Sequence, residues 1–166
     1  MPKKIKAIWA QDQEGLIGQD GHLPWRIPEE LSHFKTTTMG QVLLMGRVTF
    51  DGMGRRILPG RTSLILTRDP DYQVDHPDVL VCHSVEQVLD WYQKQDLDLY
   101  VIGGREIFCT FEDYLDELVC SEIHGKFAGD VYFPEAFSWQ SFELFECLEQ
   151  PTASIPFTIY KYRRTT

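Results

Sequence analysis

Three kinds of residue in this chain have the type and spacing to do chemistry: a carboxyl beside an apolar helix face, arginines that follow strands, and glycines at the same strand ends. In Pro28-Glu29-Glu30-Leu31-Ser32-His33-Phe34, proline takes a natural first helical position. Steps of about 100° from Ile27 put Leu31, Phe34 and Thr38 on one apolar stripe with Glu30 at its border, and turn Glu29 toward water. A carboxyl pressed against apolar neighbours resists ionisation and becomes a proton donor near neutrality. Early in a helix the same side chain also complements the dipole, and periodicity alone leaves both roles open.

Leu43-Leu44-Met45 reads as a strand delivering Gly46-Arg47-Val48-Thr49 to the start of a helix, where free N–H groups favour phosphate. A second strand ends in Leu66-Thr67-Arg68 and a third in Val101-Ile102-Gly103-Gly104. Ligands of open α/β sheets gather at the carboxyl ends of strands, so two arginines placed this way can hold two phosphates of one dinucleotide. Charge agrees: residues 47 to 68 hold five arginines against Asp51 alone, inside a chain of net charge −9. An acidic chain repels nucleic acid, so a confined arginine cluster points to a small anionic ligand, with a solvated basic face as the alternative, above all for Arg55 and Arg56. The G-x-G-x-x-G fingerprint, the phosphate loop and the G-x-S-x-G elbow are absent, which excludes a standard Rossmann domain. The five histidines show no i, i+4 pair and the four cysteines no C-x-x-C, so no metal site is expected and the thiols are read as reduced and mostly buried.

The elements that must position these residues alternate along the chain. Strands are expected at 5–10, 42–45, 63–67, 79–82, 99–102, 117–123, 142–148 and 157–163, and helices at 28–38, 47–53, 84–94 and 104–111, with Ser84-x-x-Gln87 as a capping box. Helical crossovers imply parallel pairing early, and the last strands, close in sequence, pair antiparallel at one edge. The connection from Asp12 to Ile27, punctuated by Gly15, Gly18 and Gly21 and closing on Leu23-Pro24-Trp25, is long enough to be a lid, although Trp25 could instead be a core anchor. With 166 residues, 43% of them apolar, a single domain over 1–166 is expected. No apolar run approaches bilayer length and no signal-peptide core follows the first residues, so no membrane partner and a cytoplasmic location are expected.

Leu16-Ile17-Gly18, then Leu23-Pro24-Trp25, then Glu30 with Phe34 and Thr38 at four-residue steps, resembles the dihydrofolate reductase signature. The likeness continues through Met45-Gly46-Arg47-Val48-Thr49-Phe50, Leu58-Pro59-Gly60-Arg61, Leu66-Thr67-Arg68, Ile102-Gly103-Gly104 and Gly129-Asp130, essentially the whole chain. It implies an α/β fold with an eight-stranded, mostly parallel mixed sheet, an antiparallel C-terminal edge and four flanking helices. It further implies a monomer that binds NADPH at the strand ends and dihydrofolate, or antifolate-type small molecules, in a cleft beside it. Glu30 would then hydrogen-bond the pterin and assist protonation of N5 through water, supported by Ser121, with Leu23 and Trp25 in the mobile lid and Gly129 and Asp130 bracing it. Ile8, Trp9, Ala10, Leu31, Phe34, Met53, Leu58, Ile102 and Phe108 would wall the substrate pocket, and Arg61 would pair with the glutamate carboxylate.

For the cofactor, the resemblance assigns Arg47 and Thr49 to the bridging phosphates and Arg68 with Thr67 to the 2′-phosphate. Ala10, Ile17, Gly18, Gly46, Val48, Leu66, Ile102 and the Gly103-Gly104 backbone, with a cis bond between the two glycines, would complete that site. Arg105, Glu106 and Ile107, which open the following helix, would also border the cofactor, although here the chain departs from some relatives that carry a third glycine and an arginine; Phe108 likewise replaces a common tyrosine. Two rivals keep the phosphate grip, a catalytically silent NADPH-binding module and a pyrimidine reductase of riboflavin synthesis. Neither accounts for Pro24-Trp25-x4-Glu30 together with Arg61.

Overall fold

The computed structural model describes residues 3–19 and 22–165, so Gly21 of the glycine-punctuated connection lies outside the described residues. Strand β1 (Ile5–Asp12) and the short β2 (Leu16–Gly18) precede helix α1 (Pro28–Thr38), followed by β3 (Val42–Gly46) and α2 (Arg47–Gly52). Then come β4 (Thr62–Leu66), β5 (Val79–Cys82), α3 (Val85–Gln93), β6 (Leu99–Gly103) and α4 (Arg105–Phe111). The chain ends with β7 (Glu117–Ile123), β8 (Val131–Tyr132), β9 (Phe142–Gln150) and β10 (Phe157–Arg164).

The eight-stranded sheet runs β5-β4-β3-β6-β1-β7-β10-β9, parallel from β5 to β7 and antiparallel where β10 pairs with β7 and β9. This is the mixed sheet with an antiparallel C-terminal edge that the sequence led us to expect. Its central strands read as continuous apolar runs because both faces are covered, and every residue of β3 is buried. One face carries Ile8, Ala10, Leu43 and Met45 against Trp25, Ile27, Phe34 and Phe50 of α1, α2 and the loop before them. The other carries Ala7, Trp9, Leu44 and Val101 against Val88, Tyr92, Ile107 and Phe111 of α3 and α4.

Local chemistry accounts for the helix starts. Pro28 opens α1 with Glu29 and Glu30 in the first turn, and the Ser84 hydroxyl accepts from the Gln87 N–H at 3.1 Å to cap α3. Periodicity does not reveal the second, two-stranded sheet of β2 and β8, because a three-residue and a two-residue strand are too short to show a period. The thiols are all free, but only Cys82 and Cys120 are buried; Cys109 and Cys147 are exposed, which corrects the expectation of mostly buried cysteines. Among the described residues no helix is long and apolar enough to cross a membrane.

Candidate active site

Glu30 stands in the first turn of α1 at 6% exposure, whereas its neighbour Glu29 is exposed and accepts from the Ser154 hydroxyl at 2.9 Å. Burial pushes the Glu30 carboxyl above the usual range, and the Ser121 hydroxyl pulls it part of the way back. Ser121 lies on β7 opposite Ala10 of β1. Its Oγ is near enough to act on the carboxyl but makes no hydrogen bond with proper distance and angle, and no lysine or arginine pairs with Glu30 among the described residues. Trp25 Nε1 is likewise buried without a partner. A buried donor left unbonded costs on the order of 1–3 kcal/mol, so the Glu30 carboxyl with the unbonded Ser121 hydroxyl beside it is shaped for a polar ligand or ordered water.

Ile8, Ala10, Phe34, Met53, Leu58 and Ile102 all join the apolar cluster on this face, and Leu31 stays exposed on α1. Trp9 and Phe108 do not join that wall. Side chains alternate along a strand, so Trp9 turns to the opposite face from Ile8 and Ala10, where it stacks on Phe133 with centroids 4.4 Å apart and meets Phe108 at 5.4 Å. Phe108 instead underlies Gly103, where an added Cβ would come within 3.4 Å of its ring.

At the far end of α1, Thr38 receives a hydrogen bond from Arg61 Nη1 at 3.2 Å, while Arg61 Nε donates to the Pro59 carbonyl at 3.1 Å. Arg61 is 7% exposed, burial lowers its pKa, and no carboxylate pairs with it among the described residues. A buried guanidinium without a counter-ion is costly and asks for one. Thr38 is eight positions after Glu30, about 12 Å along α1, so the acid stands near one end of the helix and the Thr38 hydroxyl that holds Arg61 at the other. That spacing suits a ligand with a hydrogen-bonding ring at one end and a carboxylate at the other.

The strand ends line up as the second half of the site: Gly46 pairs with Leu66, and Met45 with Gly103. The Gly103–Gly104 bond is cis, as the resemblance implied, and Gly103 has φ +118°. A Cβ on Gly46 would stand 3.0 Å from Ile107, and one on Gly104 3.3 Å from Thr49 Oγ1, so the starts of α2 and α4 approach across bare backbone. Val48 is exposed beside them, and Thr67 Oγ1 accepts from the Asp69 N–H at 3.2 Å. Each arginine has a carboxylate beside it, Asp69 at 3.9 Å from Arg47 and Glu106 at 3.8 Å from Arg68. Arg105 is exposed at the same helix start.

Above these strand ends, Leu16 and Gly18 pair with Tyr132 and Val131, and the Asp130 N–H donates to the Gly18 carbonyl at 3.1 Å. A Cβ on Gly129 would sit 2.5 Å from that same carbonyl, so the two loops touch backbone to backbone. Ile17 and Leu23 belong to this connection, Leu23 exposed, while Trp25 is anchored in the core edge-on to Phe127 at 5.3 Å. Sequence reasoning missed Asp12, which is 1% exposed. Its carboxylate accepts from the N–H groups of Glu14 at 2.8 Å, Leu16 at 3.0 Å and Phe127 at 3.0 Å, tying both loops to the end of β1. The spacing Asp12-x-x-Gly15 is a turn signature that could have flagged it. Among the described residues no group of three or more His, Cys, Asp or Glu could hold a metal ion.

Comparison with known proteins adds three findings. The family model described as dihydrofolate reductase matches residues 4–164. The dihydrofolate reductase of Lactococcus lactis is 50% identical over 164 residues, spanning 96% of this chain and 97% of that protein; that of Enterococcus faecium is 39% identical over 140 residues, 84% and 83%. The solved structure of dihydrofolate reductase from Enterococcus faecalis complexed with NADP(H) and RAB-propyl superposes with a TM-score of 0.92 at 38% identity, covering 98% of this chain and 97% of that one.

Proposed function

The chain belongs to the dihydrofolate reductase family, and from that premise we propose that it reduces 7,8-dihydrofolate to 5,6,7,8-tetrahydrofolate with NADPH, in the cleft between α1 and the carboxyl ends of the strands. The observation that carries this reading is the buried carboxyl of Glu30 and the buried guanidinium of Arg61, held by Thr38 about two helical turns further along α1, neither with an ion-pair partner among the described residues.

The residues fit the cofactor. Two arginines project beside glycine backbone at adjoining strand ends, and a side chain at Gly46 or Gly104 would be tight against Ile107 or Thr49. Arg47 and Thr49 would hold the bridging phosphates, Arg68 and Thr67 the 2′-phosphate, and the Gly103–Gly104 backbone would lie against the nicotinamide and pyrophosphate. When bound, the reduced nicotinamide supplies the hydride that C6 of the pterin receives, and N5 takes a proton from the protein side.

Glu30 serves that second requirement. As a carboxylate it accepts from N3 and the 2-amino group, which orients the ring; in its protonated form, which burial favours, it gives up that proton to an ordered water that hands one on to N5, leaving the carboxylate. Trp25 Nε1 and Ser121 Oγ are the unsatisfied donors on hand to fix that water and the acid. Arg61, already oriented by Thr38 and the Pro59 carbonyl, would meet the glutamate α-carboxylate in a forked pair. The protein acts as a monomer in this reading, with antifolate-type inhibitors competing for the same cleft.

The test is spectrophotometric. Purified protein should consume NADPH absorbance only after dihydrofolate is added, with tetrahydrofolate as the product. Binding of NADPH without turnover would leave a silent binding module, and absence of both would remove the reading.

A further inference from the structure

We propose that Glu106 sets the discrimination between NADPH and NADH by competing with the cofactor's 2′-phosphate for Arg68, an inference that rests on the cofactor site proposed above. The Arg68 side chain is 94% exposed and its ion-pair partner is Glu106, 3.8 Å away on α4. The backbone beneath it is fixed: the Thr67 N–H donates to the Cys82 carbonyl at 3.0 Å, and His83 Nδ1 lies 3.0 Å from the Thr67 carbonyl. The base of Glu106 is equally fixed, because the N–H groups of Ile107 and Phe108 bond the Gly104 carbonyl at 3.0 and 3.1 Å and the Thr110 hydroxyl bonds the carbonyl of Glu106 at 2.9 Å. Two anchored backbones therefore present a cation and an anion to each other across the mouth of the proposed adenosine end.

A guanidinium turned toward a carboxylate offers less of its fork to a phosphate, and the carboxylate also repels the phosphate dianion at short range. Both effects weaken only a ligand that carries the 2′-phosphate. The neighbouring pair, Arg47 with Asp69 at 3.9 Å, has the same chemistry, and Arg47 is the residue assigned above to the phosphates that NADPH and NADH share. Asp69 is thus an internal control: it acts on both cofactors, and Glu106 on one. Some relatives carry a third glycine and an arginine where this chain has Arg105-Glu106, so here an acid stands where those relatives have a cation.

The experiment is a titration of the protein's tryptophan fluorescence with NADPH and with NADH, for the parent, Glu106→Gln and Asp69→Asn, with Glu106→Ala as a second removal of the charge. Glu106→Gln and Glu106→Ala should each tighten NADPH about 3- to 10-fold and leave NADH within about twofold, with the gain shrinking at high salt. Asp69→Asn should change both cofactors by the same factor. Loss of binding in both Glu106 variants, an NADPH affinity within twofold of the parent, or equal shifts for both cofactors would overturn the inference. A parent that binds neither cofactor would overturn the proposed function itself, which is a distinguishable result.

Discussion

Arg61 and Arg68 flank the same five-residue strand, β4, and meet opposite fates. Arg61 is 7% exposed, bonded to the Thr38 hydroxyl and the Pro59 carbonyl, with no carboxylate partner among the described residues. The Arg68 side chain is 94% exposed and paired with Glu106 across 3.8 Å. The difference separates two ways of holding an anion. On the proposed substrate side the grip is prebuilt, with the Arg61 guanidinium buried and oriented by Thr38 and Pro59, at a cost in folding stability. On the proposed cofactor side the grip is made of solvated side chains on fixed backbone, where a single exposed charge can retune affinity without touching the core.

The largest effect expected from this contrast lies at Glu30. Glu30→Gln should lower turnover roughly 10² to 10⁴-fold near neutral pH, the range for loss of a general acid, and a variant within twofold of the parent would show that the proton comes by another route. Stability should move the other way. Native Glu30 keeps its proton to higher pH than the unfolded chain does, so this group stabilises the fold below the ordinary glutamate value of about 4.3 and costs stability as pH rises from there through its raised value. Calorimetry should therefore find the parent losing ground to Glu30→Gln across that window.

Next in size, Arg61→Gln should raise KM for dihydrofolate about 10²-fold with a much smaller change in kcat, because a charged pair made alike in ground and transition states is removed. A pterin substrate lacking the glutamate tail should be reduced equally by parent and variant; unequal rates would place Arg61 elsewhere in the mechanism. The smallest effect falls on the exposed side. Arg68→Gln should weaken NADPH about 10-fold, leave NADH within about twofold and leave Tm unchanged, since a solvated side chain contributes little to folding. A drop in Tm comparable to that of a core substitution would erase the distinction between the two sides.

Particular residues show why some of this was legible in advance. The placement of Glu30 at the edge of an apolar stripe follows from Pro28 and the helical period, and the strand ends at Gly46, Leu66 and Gly103 follow from short apolar runs stopped by Gly and Arg. Trp25 was ambiguous between lid and anchor until Phe127, far along the chain, was seen against its ring. Trp9 was credited to the pocket wall through its neighbours, but strand alternation turns it to the other face. The turn that Asp12 makes with Glu14 and Leu16 is local, but its tie to the Phe127 N–H, 115 positions away, is not visible in any local pattern.

Local pattern alone thus settled the kind of fold, the parallel order of its early strands and the residue types at the carboxyl edge, since side-chain period and turn chemistry act over a few residues. Folding decided how far the Glu30 carboxyl is desolvated, which arginine is buried and which carboxylate stands beside the other arginine. Those outcomes depend on desolvation and Coulomb interactions between segments that meet only when β7 lies beside β1 and the first turn of α4 comes near Arg68, and no local window contains both partners.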